Sequence, residues 1–419
     1  MNLSVKASTI SGTVVAPPSK SYMQRAIALA ALSKQPTTIS NISDCADCRA
    51  AIGIARNLGC SVVEGENQIV VTPPSSGLKA QTLHCGEAGL SLRMFSPIAA
   101  LQSQKVTMTG QGSLLVRPVG FMESTLRQLG VDVQSNDGKL PLELQGPING
   151  GVAEVDGSVS SQFLTGLLIA LPLAANKSQL KVDRLTSRPY IDMTLQIIEE
   201  FGGKVKNDNY ELFSIDGNQQ YNRANYCVEG DWSGAAGLLI AASIAGPATV
   251  AGLNEKSAQA DAAIMQVLKL SGTNCQFDGD KVLVNKNMQH KAFNFDATNC
   301  PDLFPVMAAL AAHANGVSSI KGVGRLTHKE SNRALAIQTE FGKLGIQIDL
   351  DGDVMHIHGG KVKGATVSAC NDHRMAMALA LCALQADGEV RIEGTECVAK
   401  SYPEFFDDMQ KWGLQVSEF

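Results

Sequence analysis

Six glycines at nearly even spacing set the frame of this chain. A helix-like segment ends in a glycine and gives way to a β-type run at Leu58-Gly59, Leu129-Gly130, Phe201-Gly202, Ser271-Gly272, Leu344-Gly345 and Trp412-Gly413, with intervals of 71, 72, 70, 73 and 68 residues between the glycines. Self-similarity at a fixed period marks a repeat architecture. Glycine just past a helix suits the left-handed position that closes it, where a Cβ is costly. Hairpin signatures follow most of these glycines, as in Val131-Asp132-Val133 before Asn136-Asp137-Gly138, and Cys275-Gln276-Phe277 before Asp278-Gly279-Asp280.

A second landmark precedes each glycine. A short strand runs into a polar or glycine cluster that opens a very apolar helix, at Lys20, Ala88, Ser161, Trp232, Asp302 and His373, with spacings of 68, 73, 71, 70 and 71. Segments such as Phe163–Ala170 and Met375–Leu381 are apolar nearly all round, which places such helices inside a domain rather than on its surface. Each unit therefore reads strand, buried helix, strand, amphipathic helix, glycine, strand, turn, strand. Six units of about 70 residues account for the 419-residue chain. The last lacks its returning strand, and the segment from Leu3 to Val15 is expected to supply it. Three units per domain place one crossing near Pro17 and another near Gly230, giving domain I as residues 1–17 plus 231–419 and domain II as 18–230. The fold class expected is α/β. Six buried helices whose N-termini point one way would gather positive dipole ends into an anion site.

Charge narrows the function. Thirty-five Lys and Arg against 40 Asp and Glu leave a net charge of −5, which disfavours a nucleic-acid binder but permits a local basic pocket. No apolar run is long enough for a membrane span, and the start lacks a basic segment before an apolar core, so no secretion signal is expected. The 10 cysteines lack disulfide-framework spacing, and Cys45-Ala46-Asp47-Cys48 has no second pair or histidine at zinc spacing. His356 and His358 share one side of an apparent strand without a third ligand. A cofactor-free, metal-free cytoplasmic protein is expected.

The helix openings carry the unusual side chains. Lys20 and Ser21 open the first apolar helix with Arg25 a turn further in; a lysine there opposes the dipole and points to an anion ligand. Arg93, flanked by apolar residues, needs a partner, structural or ligand. Arg117-Pro118 reads as ordinary helix-start grammar, with Arg117 on the surface. Ser160-Ser161-Gln162 exceeds what capping needs. Asp302 reads alone as a first-turn acid, and Lys329-Glu330 with Arg333 as a solvated turn. Asp372-His373-Arg374 puts two cations at a positive helix end, and Lys400 repeats the lysine-before-helix pattern. Recurrence at equivalent repeat positions, rather than any one motif, carries the argument.

The segments Pro18-Ser19-Lys20-Ser21 with Arg25, Val159–Thr165, Ser187–Asp192, Lys329–Arg333 and Asn371–Ala376 resemble those of the 5-enolpyruvylshikimate-3-phosphate synthase family across essentially the whole chain. The resemblance implies two domains, each an inside-out α/β barrel of three βαβαββ units, with the active site in the cleft between them. It implies transfer of the enolpyruvyl group of phosphoenolpyruvate to the 5-hydroxyl of shikimate 3-phosphate without metal or cofactor, by a monomer. By resemblance, shikimate 3-phosphate would be held by Lys20, Ser21, Arg25, Ser160, Ser161, Gln162, Ser187, Tyr190, Asp302 and Lys329. Phosphoenolpyruvate would meet Lys20, Gly89, Arg117, Gln162, Arg333, Arg374 and Lys400. Asp302 would be the general base and Glu330 the proton donor to the methylene carbon, assisted by Lys20 and His373. One carboxylate must then arrive ionised and the other protonated, a task for their surroundings.

Two departures stand out. The family's Gly-Asn-Ala-Gly-Thr loop is Gly86-Glu87-Ala88-Gly89-Leu90 here, which sets an acid near the expected phosphate and bears on inhibitor response; Asn332 stands where an aspartate is common, with little expected effect. The alternative is the sister transferase acting on UDP-N-acetylglucosamine, which carries Lys-Asn where this chain has Lys20-Ser21 and a loop cysteine that Gly112–Arg117 lacks. A non-catalytic binding module is the other rival, and the joint presence of Lys20, Asp302, Glu330 and His373 argues against it.

Overall fold

The computed structural model describes residues 1–327 and 329–419. The chain divides into two compact units, one of Met1–Ser19 with Glu229–Phe419 and one of Lys20–Val228.

In each unit the helices opened by polar clusters form the core. Lys20–Ala31, Gly89–Ala99 and Ser161–Ala170 serve one unit; Trp232–Ala245, Phe304–Ala312 and His373–Ala383 serve the other. The Gly89–Ala99, Phe304–Ala312 and His373–Ala383 helices are buried at every residue. Among the described residues each unit carries three four-stranded sheets around these helices. In each sheet one parallel pair is extended by two antiparallel strands, as where Thr82–His84 runs parallel to Lys105–Thr109, which pairs with Lys139–Gln145 and then Asp132–Asn136. Strand burial alternates, as in Lys139–Gln145, so one face packs on helices and the other meets water. The six spaced glycines all have positive φ, from 82° to 115°, the left-handed closure that their place after a helix predicts.

At the termini, Asn2–Lys6 lies antiparallel between Val390–Glu393 and Gln415–Glu418. The strands just before the two crossings correct the simple picture of sequence-contiguous repeats. Thr13–Val15 precedes the Lys20–Ala31 helix yet runs parallel to Ala248–Ala251, while Asn225–Cys227 precedes the Trp232–Ala245 helix yet runs parallel to Thr37–Ser40. Each crossing falls between a strand and its helix, so the strand stays with the unit it ends while the helix begins the next. Two of the six repeats are thereby completed by strands distant in sequence.

Candidate active site

In the Lys20–Val228 unit, the helix openings gather hydroxyls and guanidinium groups. Ser160 caps the Ser161–Ala170 helix, its side chain accepting from the Gln162 amide. Gln162 in turn accepts from Arg93 Nη1 at 2.9 Å through Oε1, and the Arg93 guanidinium lies 5.8 Å from the Phe121 ring centre. Arg25 is buried, donating to the Ser21 and Tyr190 carbonyls and to the Thr165 and Thr194 hydroxyls at 2.9 to 3.4 Å. These are neutral oxygens; burial lowers its pKa to about 10, leaving a desolvated positive charge that favours a nearby anion. Lys20 meets Asp47 at 2.8 Å, an acid in the first turn of the Ala46–Asn57 helix. Ser187 sits before the Arg188–Glu200 helix at φ 59°, ψ 42°, a left-handed conformation that a non-glycine residue adopts at some cost.

Arg117 is buried rather than on the surface. Pro118 does not open a helix either, since a tight turn ends at Val116 and the next begins at Gly120. The reason is Gly89: a Cβ there would stand 2.6 Å from Arg117 Nη1, so the missing side chain makes room for the guanidinium over the helix start. Glu87 accepts from the Ser113 amide and hydroxyl at 3.2 and 3.1 Å.

The other unit builds a network of opposite charges. Arg333 opens the Arg333–Lys343 helix and is fully buried. It reaches Asp372 at 2.8 Å, Glu330 at 2.8 Å and Asp302 at 2.9 Å. Burial alone would weaken its hold on its proton, but Asp372, Glu330 and Asp302 more than offset this and hold its pKa above the usual value. Lys329 meets Asp302 at 3.1 Å, and burial still lowers its pKa. The solvated turn expected at Lys329-Glu330 is thus a partly buried ion cluster, because three carboxylates converge on one guanidinium. Asp372 caps the His373–Ala383 helix, accepting from the Arg374 amide, and His373 and Arg374 are buried beside it. Arg374 lies 3.6 Å from Asp302. Lys400 donates to the Asn371 carbonyl at 2.9 Å; Cys370 and Asn371 both have positive φ, so strain is concentrated just before this helix.

Sequence reasoning gave no role to Asp47, Thr165, Thr194, Ser233 or Asp261. Asp47 carried a signal as a first-turn acid; the threonines and Asp261 carried none, since only packing brings them to their arginines. Among the described residues no group of His, Cys, Asp and Glu is arranged to hold a metal ion, and no helix is long and apolar enough to cross a membrane. His358 pairs with Asp349 and His356 with Ser319.

Comparison with known proteins follows the same lines. The pattern of the EPSP synthase (3-phosphoshikimate 1-carboxyvinyltransferase) family matches residues 5–409. The 3-phosphoshikimate 1-carboxyvinyltransferase of Clostridium kluyveri is 35% identical over 420 residues, covering 100% of this chain and 98% of that protein. The protein of the same name from Methanosarcina acetivorans is 37% identical over 428 residues, covering 100% and 99%. Among solved structures, an EPSP synthase from Acinetobacter baumannii superposes with a TM-score of 0.83 at 25% identity, covering 99% of both chains. The enolpyruvyl transferase NikO from Streptomyces tendae, at 18% identity and a TM-score of 0.79 over 99% and 98% of the chains, shares the fold.

Proposed function

Because the chain belongs to the EPSP synthase family, we propose that it transfers the carboxyvinyl group of phosphoenolpyruvate to the 5-hydroxyl of shikimate 3-phosphate and releases phosphate. The observation that carries this reading is Asp302 set between Lys329 and Arg333, with Glu330 on the same guanidinium. The shared guanidinium fixes where the two carboxylates stand for the reacting groups.

Asp302 takes the proton of the 5-hydroxyl as that oxygen attacks C2 of phosphoenolpyruvate. Glu330 delivers a proton to the methylene carbon, so the double bond becomes a methyl group on a tetrahedral ketal phosphate. Loss of a methyl proton and cleavage of the C–O bond to phosphate then restore the vinyl ether. Lys20 and His373 assist these transfers. Shikimate 3-phosphate is held by Ser21, Arg25, Ser160, Ser161, Gln162, Ser187, Tyr190 and Lys329, with Arg25 supplying charge from beneath and the hydroxyls supplying donors. Phosphoenolpyruvate is held by Arg117, Arg374 and Lys400, with Gly89 leaving room for Arg117. Arg333 organises Asp302, Glu330 and Asp372 as much as it contacts substrate. The enzyme acts as a monomer in the cytoplasm.

The test is phosphate release from phosphoenolpyruvate by the purified protein with no metal added, run with shikimate 3-phosphate and with UDP-N-acetylglucosamine. Release with the first acceptor alone is expected. Release with the second alone would reassign the acceptor, and silence with both would favour a binding module.

A further inference from the structure

The proposed mechanism leaves one buried carboxylate beside the site without a task. Asp261 lies in the turn Ala260–Ala263, packed on the start of the Trp232–Ala245 helix, and is 3% exposed. Its Oδ2 accepts from the Ser233 hydroxyl, while its Oδ1 is buried with no hydrogen-bond partner among the described residues. A buried acceptor left unmatched is costly, and an ionised one in a structural role is normally fully paired. The same Ser233 receives Arg374 twice, Nη1 donating to its carbonyl at 3.2 Å and Nη2 to its hydroxyl oxygen. Arg374 then faces Asp302. A relay therefore runs from Asp261 through Ser233 and Arg374 to the proposed base.

We propose that Asp261 is a positioning residue for carboxyvinyl transfer: through Ser233 it aims Arg374, and its charge keeps Asp302 a competent proton acceptor among three cations. The hydroxyl of Ser233 has one hydrogen. Donating it to Asp261 turns a lone pair toward Arg374, which fixes the guanidinium. Lys329, Arg333 and Arg374 all surround Asp302 within 3.6 Å, and their combined field would hold its proton affinity too low for efficient base catalysis. Part of that field is cancelled by Glu330 and Asp372 on Arg333. Asp261 adds a negative charge acting on Arg374. The groups facing Asp261 are Asp302, Arg374, Ser233 and Asp231, with Cys300 close by. Burial, and next the repulsion of Asp302, raise the pKa of Asp261 to about 6. Repulsion is mutual, so the same charge favours a proton on Asp302.

This inference rests on the function proposed above, and its test separates the two. Asp261→Asn keeps the shape and an acceptor for Ser233 but removes the charge; Ser233→Ala breaks the relay and leaves the charge. Phosphate release from phosphoenolpyruvate with shikimate 3-phosphate is followed from pH 5 to 9, alongside thermal melts at pH 8. For Asp261→Asn, the plateau kcat should fall about 5- to 30-fold and its acid limb should move to lower pH, while Tm at pH 8 rises because a buried charge is gone. For Ser233→Ala, KM for phosphoenolpyruvate should rise several-fold with a smaller loss in kcat. A folded Asp261→Asn enzyme with wild-type kcat and pH profile overturns the proposal, as does lost activity with an unmoved acid limb and a lowered Tm, the mark of structural damage. Should Asp261→Asn fail to fold, wild-type KM and kcat in Ser233→Ala overturn it instead. A wild-type protein silent with shikimate 3-phosphate sinks the parent reading.

Discussion

In the Lys20–Val228 unit the buried guanidinium of Arg25 is held by carbonyls and threonine hydroxyls; in the other unit that of Arg333 is held by three carboxylates. Both arginines are buried on helices, Arg25 midway along Lys20–Ala31 and Arg333 at the first residue of Arg333–Lys343. Among the described residues the first has only neutral partners, so its charge favours an arriving anion. The second has spent its charge internally, where it fixes the orientation of the acids around it. One unit thus presents a buried cation with neutral partners, the other a buried cation ringed by acids. Phosphoryl and carboxylate groups need fixed positive charge, whereas proton transfer needs acids tuned by neighbours.

Breaking the acid side should have the largest effect. Asp302→Asn is expected to lower kcat by about 10²- to 10⁴-fold while leaving the fold intact, measured by phosphate release and circular dichroism; unchanged turnover would remove Asp302 as the base. Arg333→Met should unfold the comparison in another way. It strands Asp372, which is fully buried, and should cost about 3–5 kcal/mol of stability by denaturant titration. Arg25→Met should cost clearly less, since it strands only neutral oxygens. Equal losses would show that the two arginines are energetically alike.

The stability of the acid-rich unit should depend on pH through Asp261. Its pKa in the folded state is raised, so its contribution is fully present below about pH 3.8 and is lost as pH rises through about 6. Asp261→Asn should therefore stabilise the protein by about 1–3 kcal/mol at pH 8, with the gain shrinking toward zero at pH 4. Denaturant melts of variant and wild type at the two pH values measure the difference directly, and a gain independent of pH would deny that the charge is buried.

Changes on the anion side should be smaller and fall on binding. Gly89→Ala sets a Cβ against the Arg117 guanidinium and should raise KM for phosphoenolpyruvate about 10-fold, roughly 1.4 kcal/mol. Glu87→Gln removes the one acid of that loop, now held by Ser113, and should lower that KM about 2- to 5-fold through weaker repulsion. A rise instead would mean that Glu87 orders the loop around Ser113.

The repeat, its period, the buried helices and their polar openings were legible in the sequence because each rests on a local rule: glycine at a left-handed closure, apolar periodicity, and capping. The residues at those openings could be singled out because cations at a helix start run against the dipole. Reading each alone misjudged Arg117 and the Lys329–Arg333 turn. Their burial comes from neighbours far along the chain, Gly89 for one and Asp302 and Asp372 for the other. Asp261 and Thr194 left no local mark at all.

By itself the sequence determined six α/β units and a set of helix starts carrying lysine, arginine and serine, since these follow from contacts within about 70 residues. Tertiary structure alone decided which strands complete the two split repeats, pairing Thr13–Val15 with Ala248–Ala251 and Asn225–Cys227 with Thr37–Ser40. It also decided which acids neutralise which arginines. Strand pairing and charge pairing act through space between groups more than 150 residues apart in the first case and, for Arg374 and Asp302, 72 apart in the second, and Coulomb energies depend on distance and burial, neither of which a sequence window contains.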